Sequence, residues 1–239
     1  MSEIYMPFHA GEQAVQARLG IQARMLDIAR QVIRASMPEQ HQAFYAQLPF
    51  VLVGSVDSQG CPWASVLVGE SGFMLASDSQ HLDIAAHPIN GDPLALGLHT
   101  GAAMGLLGIE LGSRRRNRMN GRIESINERG FRVAVEQTVG NCPKYIQTRT
   151  LDWIRSAQDT RPRGIQAISH LAGASRSLVE QADTLFIATR APADEFRLDS
   201  ADVSHRGGRR GFVHVEDAQT LLVPDFVGNY LFMTLGNLQ

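Results

Sequence analysis

The chain has 239 residues, of which 44% are hydrophobic and 19% are charged, and its formal net charge is −2. This composition is that of a globular protein and excludes a disordered or fibrous chain, and the charge argues against a general surface for nucleic acids. Its two cysteines are too few for a disulfide scaffold. Neither a secretory leader nor an apolar run long enough to cross a membrane is recognisable. We therefore expect a cytoplasmic protein that binds neither membranes nor nucleic acids.

The first third of the chain changes from helical to β-type patterning. Residues 11–47 are predicted to be helical, because apolar side chains recur there at helical spacing between charges. Strands are then predicted over residues 50–56, 64–68 and 72–76, with turn chemistry around Gly60. This close spacing of short strands is typical of an antiparallel barrel or sandwich.

The remaining two thirds continue the β pattern with one helical interruption. Three further strands are predicted within residues 105–111, 118–123 and 130–135. A second helical segment is predicted over residues 150–181, with a break near residues 161–164, before a strand over residues 183–189. The predicted fold class is therefore mainly β with flanking helices.

The sequence contains an internal repeat. Residues 62–100 align without a gap on residues 201–239, with ten identities in 39 positions. We interpret this as two tandem β units, each opened by a helical segment. Residues 1–149 would form an N-terminal helical segment with the first unit, and residues 150–239 a helical linker with the second. Because the first unit continues past Thr100, we expect the second to be incomplete at its C-terminal end, to be finished either by a longer natural chain or by another chain.

The repeat also serves as an internal control for function, because polar chemistry found in one unit alone is not needed by the fold. Where the first unit has residues 65–69 with the sequence Ser-Val-Leu-Val-Gly, the second has Ser204, His205, Arg206, Gly207 and Gly208. An arginine fork suits a phosphate group, and glycines let backbone amides approach an anion closely. The alternative is an exposed turn between hairpin strands.

A second candidate loop follows the predicted strand that ends at Val223. Its residues Pro224, Asp225, Gly228 and Asn229 would lead into a helical turn from Tyr230, where backbone amides can bind an anion. A plain turn is the alternative.

Two further motifs carry weaker signals. The basic run over residues 113–118 invites a nucleic-acid interpretation, but it lacks interleaved aromatic residues, and a solvated strand edge or a phosphate contact is favoured. Cys142 lies near Lys144, yet a buried structural cysteine is favoured over a reactive thiol. No spacing of His and Cys residues predicts a metal site, and no residue stands out as catalytic.

Taken together, five motifs resemble the pyridoxamine 5′-phosphate oxidase-related FMN-binding proteins. They are Phe8-His-x-Gly-Glu12, Arg114-Arg-Arg-Asn-Arg-x-Asn-Gly121, Gly140-Asn-Cys-Pro-Lys-Tyr-Ile146, Asp202-Val-Ser-His-Arg-Gly-Gly208 and Pro224-Asp-Phe-x-Gly-Asn229. The resemblance implies an antiparallel Greek-key split β-barrel and a homodimer with FMN at the subunit interface. It also implies that the FMN phosphate is held at Ser204, His205, Arg206, Asp225, Gly228 and Asn229.

The chain departs from this family in two respects. First, the sequence ends before any C-terminal arginine-rich segment of the kind that binds the pyridoxal moiety, and this puts the specific activity of pyridoxamine phosphate oxidases in doubt. Second, its first unit carries apolar residues at the positions that would bind the phosphate. The resemblance implies an FMN-dependent oxidoreductase that acts on an unknown small substrate or electron donor. The alternative is a non-catalytic flavin-binding or electron-transfer module that works with a fused or docked reductase.

Overall fold

The computed structural model describes residues 6–157, 159, 161, 164–193 and 198–239. The helices in this part of the chain are α1 (Ala10–Arg18), α2 (Gln22–Val32), α3 (Glu39–Gln47), α4 (Leu94–Gly97), α5 (Gly173–Gln181) and α6 (Met233–Gly236). The strands are β1 (Phe50–Val56), β2 (Pro62–Val68), β3 (Met74–Ala76), β4 (His81–Ile84), β5 (Ala103–Glu110), β6 (Arg115–Asn127), β7 (Gly130–Asn141), β8 (Thr184–Ala191), β9 (Ser200–Gly207), β10 (His214–Val215) and β11 (Leu221–Leu222). The predicted class, mainly β with flanking helices, is confirmed.

Seven strands form one antiparallel sheet in the order β2-β1-β5-β6-β7-β4-β3. Helix α3 packs against it through Phe44 and Tyr45, which are fully buried in the largest apolar cluster together with residues of β1, β5 and β6. The Tyr45 hydroxyl donates to the carbonyl of Asn117 on β6, 3.1 Å away, so that the helix is also fixed by a polar contact. In the described part of the chain, the edge strands β2 and β3 do not pair with each other, and the sheet stays open.

The order of elements recurs along the chain. The series α3-β1-β2-β3-β4-α4 is followed, after β5 to β7, by α5-β8-β9-β10-β11-α6. Matching turns have matching hydrogen bonds, because Asp78 accepts from the amide of Gln80 and Asp217 from the amide of Gln219, both at 2.7 Å. The sequence repeat is therefore also a repeat of secondary structure and of local turn geometry.

The β8–β9 hairpin docks onto the large sheet at a pair of glycines. Gly54 on β1 and Gly105 on β5 are direct cross-strand neighbours, and the backbone of Asp202 on β9 lies against both. A Cβ atom at Gly54 would stand 2.5 Å from the Asp202 carbonyl oxygen, and one at Gly105 would stand 2.7 Å from the Asp202 Cα. Only glycine allows strands to approach this closely, so these two positions set where the second unit sits.

The predicted helix over residues 150–181 is wrong for most of its length. Helix α5 occupies Gly173–Gln181, whereas the described residues between Thr150 and Ala172 form no helix. Apolar side chains in this stretch, among them Trp153 and Ile154, are exposed. Without a core to bury its apolar face, a segment of this length gains too little to remain helical. Of the predicted break over residues 161–164, residues 162 and 163 lie outside the described part.

Candidate functional site

Strand β6 holds the second unit in place with a ladder of side chains. Alternate residues of a strand point to the same face, and three of them on β6 donate to backbone carbonyls of β9 and of the residue just before it: Arg118 to Val203 at 3.2 Å, Asn120 to Ala201 at 3.1 Å, and Arg122 to Asp199. These carbonyls lie on the edge of β9 that faces away from β8. The ladder therefore replaces the main-chain pairing that a neighbouring strand would provide.

The first rung of this ladder is part of a buried ionic network. Arg118 and Asp202 are only 5% and 2% exposed, and Arg118 Nη1 lies 3.1 Å from Asp202 Oδ2. Arg118 Nη2 also donates to the hydroxyl of Ser204 at 2.5 Å, and the hydroxyls of Ser204 and Thr234 lie 2.8 Å apart. Ser204, predicted to contact a ligand phosphate, thus has its hydroxyl engaged within the protein, where it orients Arg118.

Arg116 is the next residue on the same face of β6, and it differs from the three rungs. In the part of the chain that the structure describes, its guanidinium has no hydrogen-bond or ion-pair partner, and its Nε is buried. Burial and the neighbouring charges of Arg118 and Arg206 lower the pKa of Arg116 to about 10. Arg116 remains a cation at neutral pH, and it lacks a counter-charge in the described structure. An anionic ligand would therefore offset both the free-energy cost of burying its charge and the repulsion from the neighbouring arginines.

Arg206 approaches the same point from β9. Its guanidinium is partly buried, which lowers its pKa, while Asp225 opposes this effect from 3.7 Å away. At that distance the pair is an ion pair without a tight hydrogen bond. The predicted residues Arg206 and Asp225 are thus brought together, and Asp225 offsets only one of the two arginine charges.

His205 lines the same cleft as a neutral side chain. It is 4% exposed, and its ring meets the edge of Phe186 with the centroids 5.6 Å apart. Neither ring nitrogen has a hydrogen-bond partner in the described structure. Burial, together with the charges of Arg116 and Arg206, lowers the pKa of His205 to about 4, so the imidazole can offer a ligand one donor and one acceptor at neutral pH.

The two predicted glycines, Gly207 and Gly208, both have packing roles in the structure. A Cβ at Gly207 would stand 2.1 Å from the carbonyl oxygen of Tyr145, so that only glycine fits there. Gly208 donates its amide to Asp183 and lies against Phe212. Gly69, its counterpart in the first unit, lies against Phe73 in the same way. Because the first unit has the same glycine–phenylalanine contact without the polar residues of the second, this contact of Gly208 contributes to the fold.

The loop over residues 224–230 forms the opposite wall and is tied to the first unit. Its Val227 carbonyl accepts from the Tyr145 hydroxyl at 3.0 Å and from Lys144 Nζ at 3.4 Å. The Phe226 ring lies against that of Tyr145, with the centroids 5.3 Å apart. The predicted helical turn from Tyr230 starts later, at Met233, because Tyr230 and Phe232 both adopt left-handed backbone conformations, with φ of 61° and 59°.

These elements line an open cleft between β6, β9 and the segment over residues 224–235. Of the predicted site residues, Gly208 lies outside the lining, and those within it are Ser204, His205, Arg206, Gly207, Pro224, Asp225, Gly228 and Asn229. Four cations line the cleft against the single carboxylate of Asp225: Arg116, Arg118, Lys144 and Arg206. The cleft is therefore positive, and aromatic rings stand beside its charges.

Sequence reasoning did not select Arg116 or Tyr145 as site residues, although both lie in motifs that it had singled out. The signal for Arg116 was available in the alternation of polar residues at positions 116, 118, 120 and 122, which is unusual for an interior strand. Arg115 points elsewhere, with its guanidinium 4.5 Å above the Phe44 ring. Tyr145 became part of the site only through long-range packing against Phe226.

Comparisons with known proteins add no assignment. No family model matches the chain, and no curated protein and no solved structure matches it either. In the part of the chain that the structure describes, no helix is long and apolar enough to span a membrane. The same residues contain no group of three or more His, Cys, Asp or Glu side chains that could hold a metal ion.

Proposed function

We propose that the protein binds FMN in this cleft and acts as an FMN-dependent oxidoreductase on a small molecule. The observation that carries the proposal is Arg116, a partly buried cation without a counter-charge in the described structure, beside a second arginine that is only loosely paired. Two arginines that line one cleft and act on each other's charge suit a terminal phosphate monoester. The motif resemblance supports the same ligand independently.

The residues on either side of the charges fit the rest of such a ligand. Tyr145, Phe226 and Tyr230 offer partly exposed rings at the wall of the cleft, which suit a flat heteroaromatic group. Bound FMN would supply the two-electron chemistry. The protein's own part would be to hold the phosphate with Arg116 and Arg206 and to fix the ring system. We extend the proposal to the fold, as a split β-barrel in which the first unit has lost its own site.

Titration with FMN, FAD and riboflavin tests the binding proposal by flavin fluorescence. Riboflavin lacks the phosphate that both arginines would contact, so it should bind more weakly than FMN by at least the roughly ten- to hundredfold factor that one charge-assisted contact contributes. FAD should bind less tightly than FMN, because it has no terminal phosphate monoester to offer the two arginines. Equal affinities for FMN and riboflavin, or no binding of either, would overturn the assignment of the arginines to a phosphate.

Oxidoreductase activity is tested on the FMN-loaded protein. Reduction of the flavin by a defined small donor, followed by reoxidation with an acceptor over many turnovers, is the expected result. If the protein binds flavin stably but shows no turnover with reduced nicotinamides or small amines, the oxidoreductase proposal is overturned and the protein is a flavin-binding module.

We also propose that the protein is a homodimer. In the first unit, β4 pairs with β7 along its outer edge, whereas β11, its counterpart, pairs only with β10 in the described structure. Leu221, Leu222 and Val223 are exposed along it, and an apolar strand edge favours association with another chain. Light scattering at micromolar concentration should give twice the chain mass, and Leu222→Lys should lower it. A stable, soluble monomer of the unmodified protein would contradict this proposal.

A further inference from the structure

The N-terminal motif Phe8-His-x-Gly-Glu12 does not line the cleft, yet it touches the segment that closes it. Helix α1 begins directly after His9, which caps it. The Gly11 amide donates to His9 Nδ1 at 3.1 Å, and the His9 amide donates to the Glu12 carboxylate. The segment in question comprises residues 230–237, whose first six residues line the cleft. We call it the closing segment.

Helix α1 crosses the closing segment backbone to backbone. A Cβ at Gly11 would stand 2.1 Å from the Gly236 carbonyl oxygen, and a Cβ at Gly236 would stand 2.7 Å from the Glu12 amide nitrogen. Both partners must therefore be glycine for this approach. Contact of this kind restricts the position of α6 relative to α1, since backbone atoms of both segments, together with the Glu12 side chain, are in direct contact.

A hydrogen-bond chain continues from α1 through the closing segment to the second unit. Because His9 Nδ1 accepts from the Gly11 amide, a neutral His9 carries its proton on Nε2, which donates to Asn237 Oδ1 at 2.8 Å. The Asn237 amide group in turn donates to the Thr189 hydroxyl on β8 at 2.9 Å. The motif thus holds the end of the closing segment against the hairpin that carries Arg206.

A small apolar core anchors the start of the same segment. Leu231 is buried in a cluster with residues of the N-terminal helices and β7: Phe8, Met25, Ala29, Ile33 and Val139. Its two neighbours, Tyr230 and Phe232, are the residues with left-handed φ. Such conformations cost free energy and persist only where the surroundings enforce them. The N-terminal helices supply that constraint, because they hold the one side chain that lies between the two strained residues.

We propose that α1 is a positioning element for the cleft, with His9 and Gly11 as positioning residues that keep the closing segment in its strained, ligand-ready form. The inference rests on the proposed function for the identity of the ligand. It implies that docking of α1 and binding of FMN are coupled, so that each strengthens the other. His9 and Gly11 act through Asn237 and Gly236 without touching the ligand.

Hydrogen exchange on the full chain provides the test, with and without saturating FMN. FMN should slow exchange in α1 of the unmodified protein, and it should not do so in Arg116→Gln under conditions where that variant stays unliganded. Bound ligand slows every amide that exchanges only by global unfolding, so the comparison uses the α1 amides that exchange by local opening. In a helix with a merely structural role, those amides would gain no protection from a ligand that the helix does not touch. Exchange in α1 that is unchanged by bound FMN would overturn the coupling.

Variants of α1 separate this proposal from the proposed function. Gly11→Ala should speed exchange in residues 231–237 without ligand and raise the FMN dissociation constant by about 5-fold to 150-fold. Ala17→Ser, exposed on the same helix, is the matched control and should change neither. If Gly11→Ala fails to fold, His9→Ala serves the same purpose. Should the unmodified protein bind no flavin, only the proposed function fails, and unchanged exchange in residues 231–237 of these variants would then overturn the positioning role.

Discussion

Replacing Arg116 by glutamine should raise the stability of the ligand-free protein while it lowers the affinity for FMN. Stability and affinity are expected to change in opposite directions, because the Arg116 guanidinium has no partner in the described structure and is repelled by the charges of Arg118 and Arg206. Glutamine keeps a polar side chain in the partly buried position but removes the charge. A residue kept for the fold would show the reverse, with stability lost on substitution.

The pKa of Arg116 gives the size of the stability change. Its depression from the ordinary arginine value to about 10 corresponds to a penalty on the charged, folded form of on the order of 3 kcal/mol. This penalty is present at every pH below about 10 and is relieved only as the side chain loses its proton above that pH. Solvent at the open cleft screens part of it, so we expect a gain of about 1 kcal/mol at pH 7. That gain would raise the melting temperature by about 2–4 °C.

The affinity change follows from the lost contact with the phosphate. A hydrogen bond to a charged group contributes about 1.5–3 kcal/mol, so FMN should bind about ten- to hundredfold more weakly. Arg115→Gln is the matched control, because it removes the same charge one residue away, where the side chain covers Phe44 outside the cleft. It should leave the affinity for FMN unchanged.

Fluorescence titration and thermal melts of the ligand-free proteins measure both quantities. The reasoning is refuted if Arg116→Gln melts lower than the unmodified protein and binds FMN equally well, since Arg116 would then be a structural residue. An equal loss of FMN affinity in Arg115→Gln and Arg116→Gln would also refute it, because the change in net charge alone would then explain the effect.

Three further perturbations probe the same arrangement. Arg206→Leu, which installs the residue of the first unit, should weaken FMN about ten- to hundredfold and leave the ligand-free fold intact; a variant that unfolds would show that Arg206 is structural. The His205 pKa of about 4 lies below its unfolded value of 6.5, so denaturation at a series of pH values should show stability that is full above pH 6.5 and falls by up to ~3 kcal/mol toward pH 4. His205→Val should remove that slope, and an unchanged slope would contradict the assignment. Gly54→Ala should cost about 1–3 kcal/mol by pushing on the Asp202 backbone, and Gly112→Ala, where a Cβ meets nothing, should cost almost nothing in the same denaturant titration.

The internal repeat is why much of the second unit could be predicted. Residues 94–97 of the first unit align on residues 233–236 of the second, and both stretches form a single helical turn as α4 and α6. Turn and strand signals of this kind are local, so that they can be read from neighbouring residues. The helix predicted over residues 150–172 failed for the complementary reason, because helical spacing does not reveal whether a surface exists to cover the apolar side chains.

The candidate site shows the same division between local and long-range information. Arg206 and Asp225 stood out because the first unit has no charge at either position. Arg116 did not stand out, because the polar alternation along β6 groups it with Arg118, Asn120 and Arg122. Arg115 lies on the other face of β6, against Phe44, and what separates Arg116 from Arg118 is that Arg118 donates hydrogen bonds to β9 and Arg116 does not in the described structure. That difference depends on where β9 docks, which the contacts at Gly54 and Gly105 determine.

The side-chain ladder from β6 to β9 also bears on how this protein avoids self-association along that edge. A free strand edge accepts almost any other strand, since main-chain groups are the same in every sequence. The outward carbonyls of Ala201 and Val203 on β9, and that of Asp199 just before it, already accept hydrogen bonds from side chains. An incoming strand would therefore have to displace two arginines and an asparagine. This protection depends on individual side chains, so each hydrogen bond of the ladder can be removed by a single substitution. Substituting Asn120 would expose a single carbonyl while the rungs on either side still block the strand.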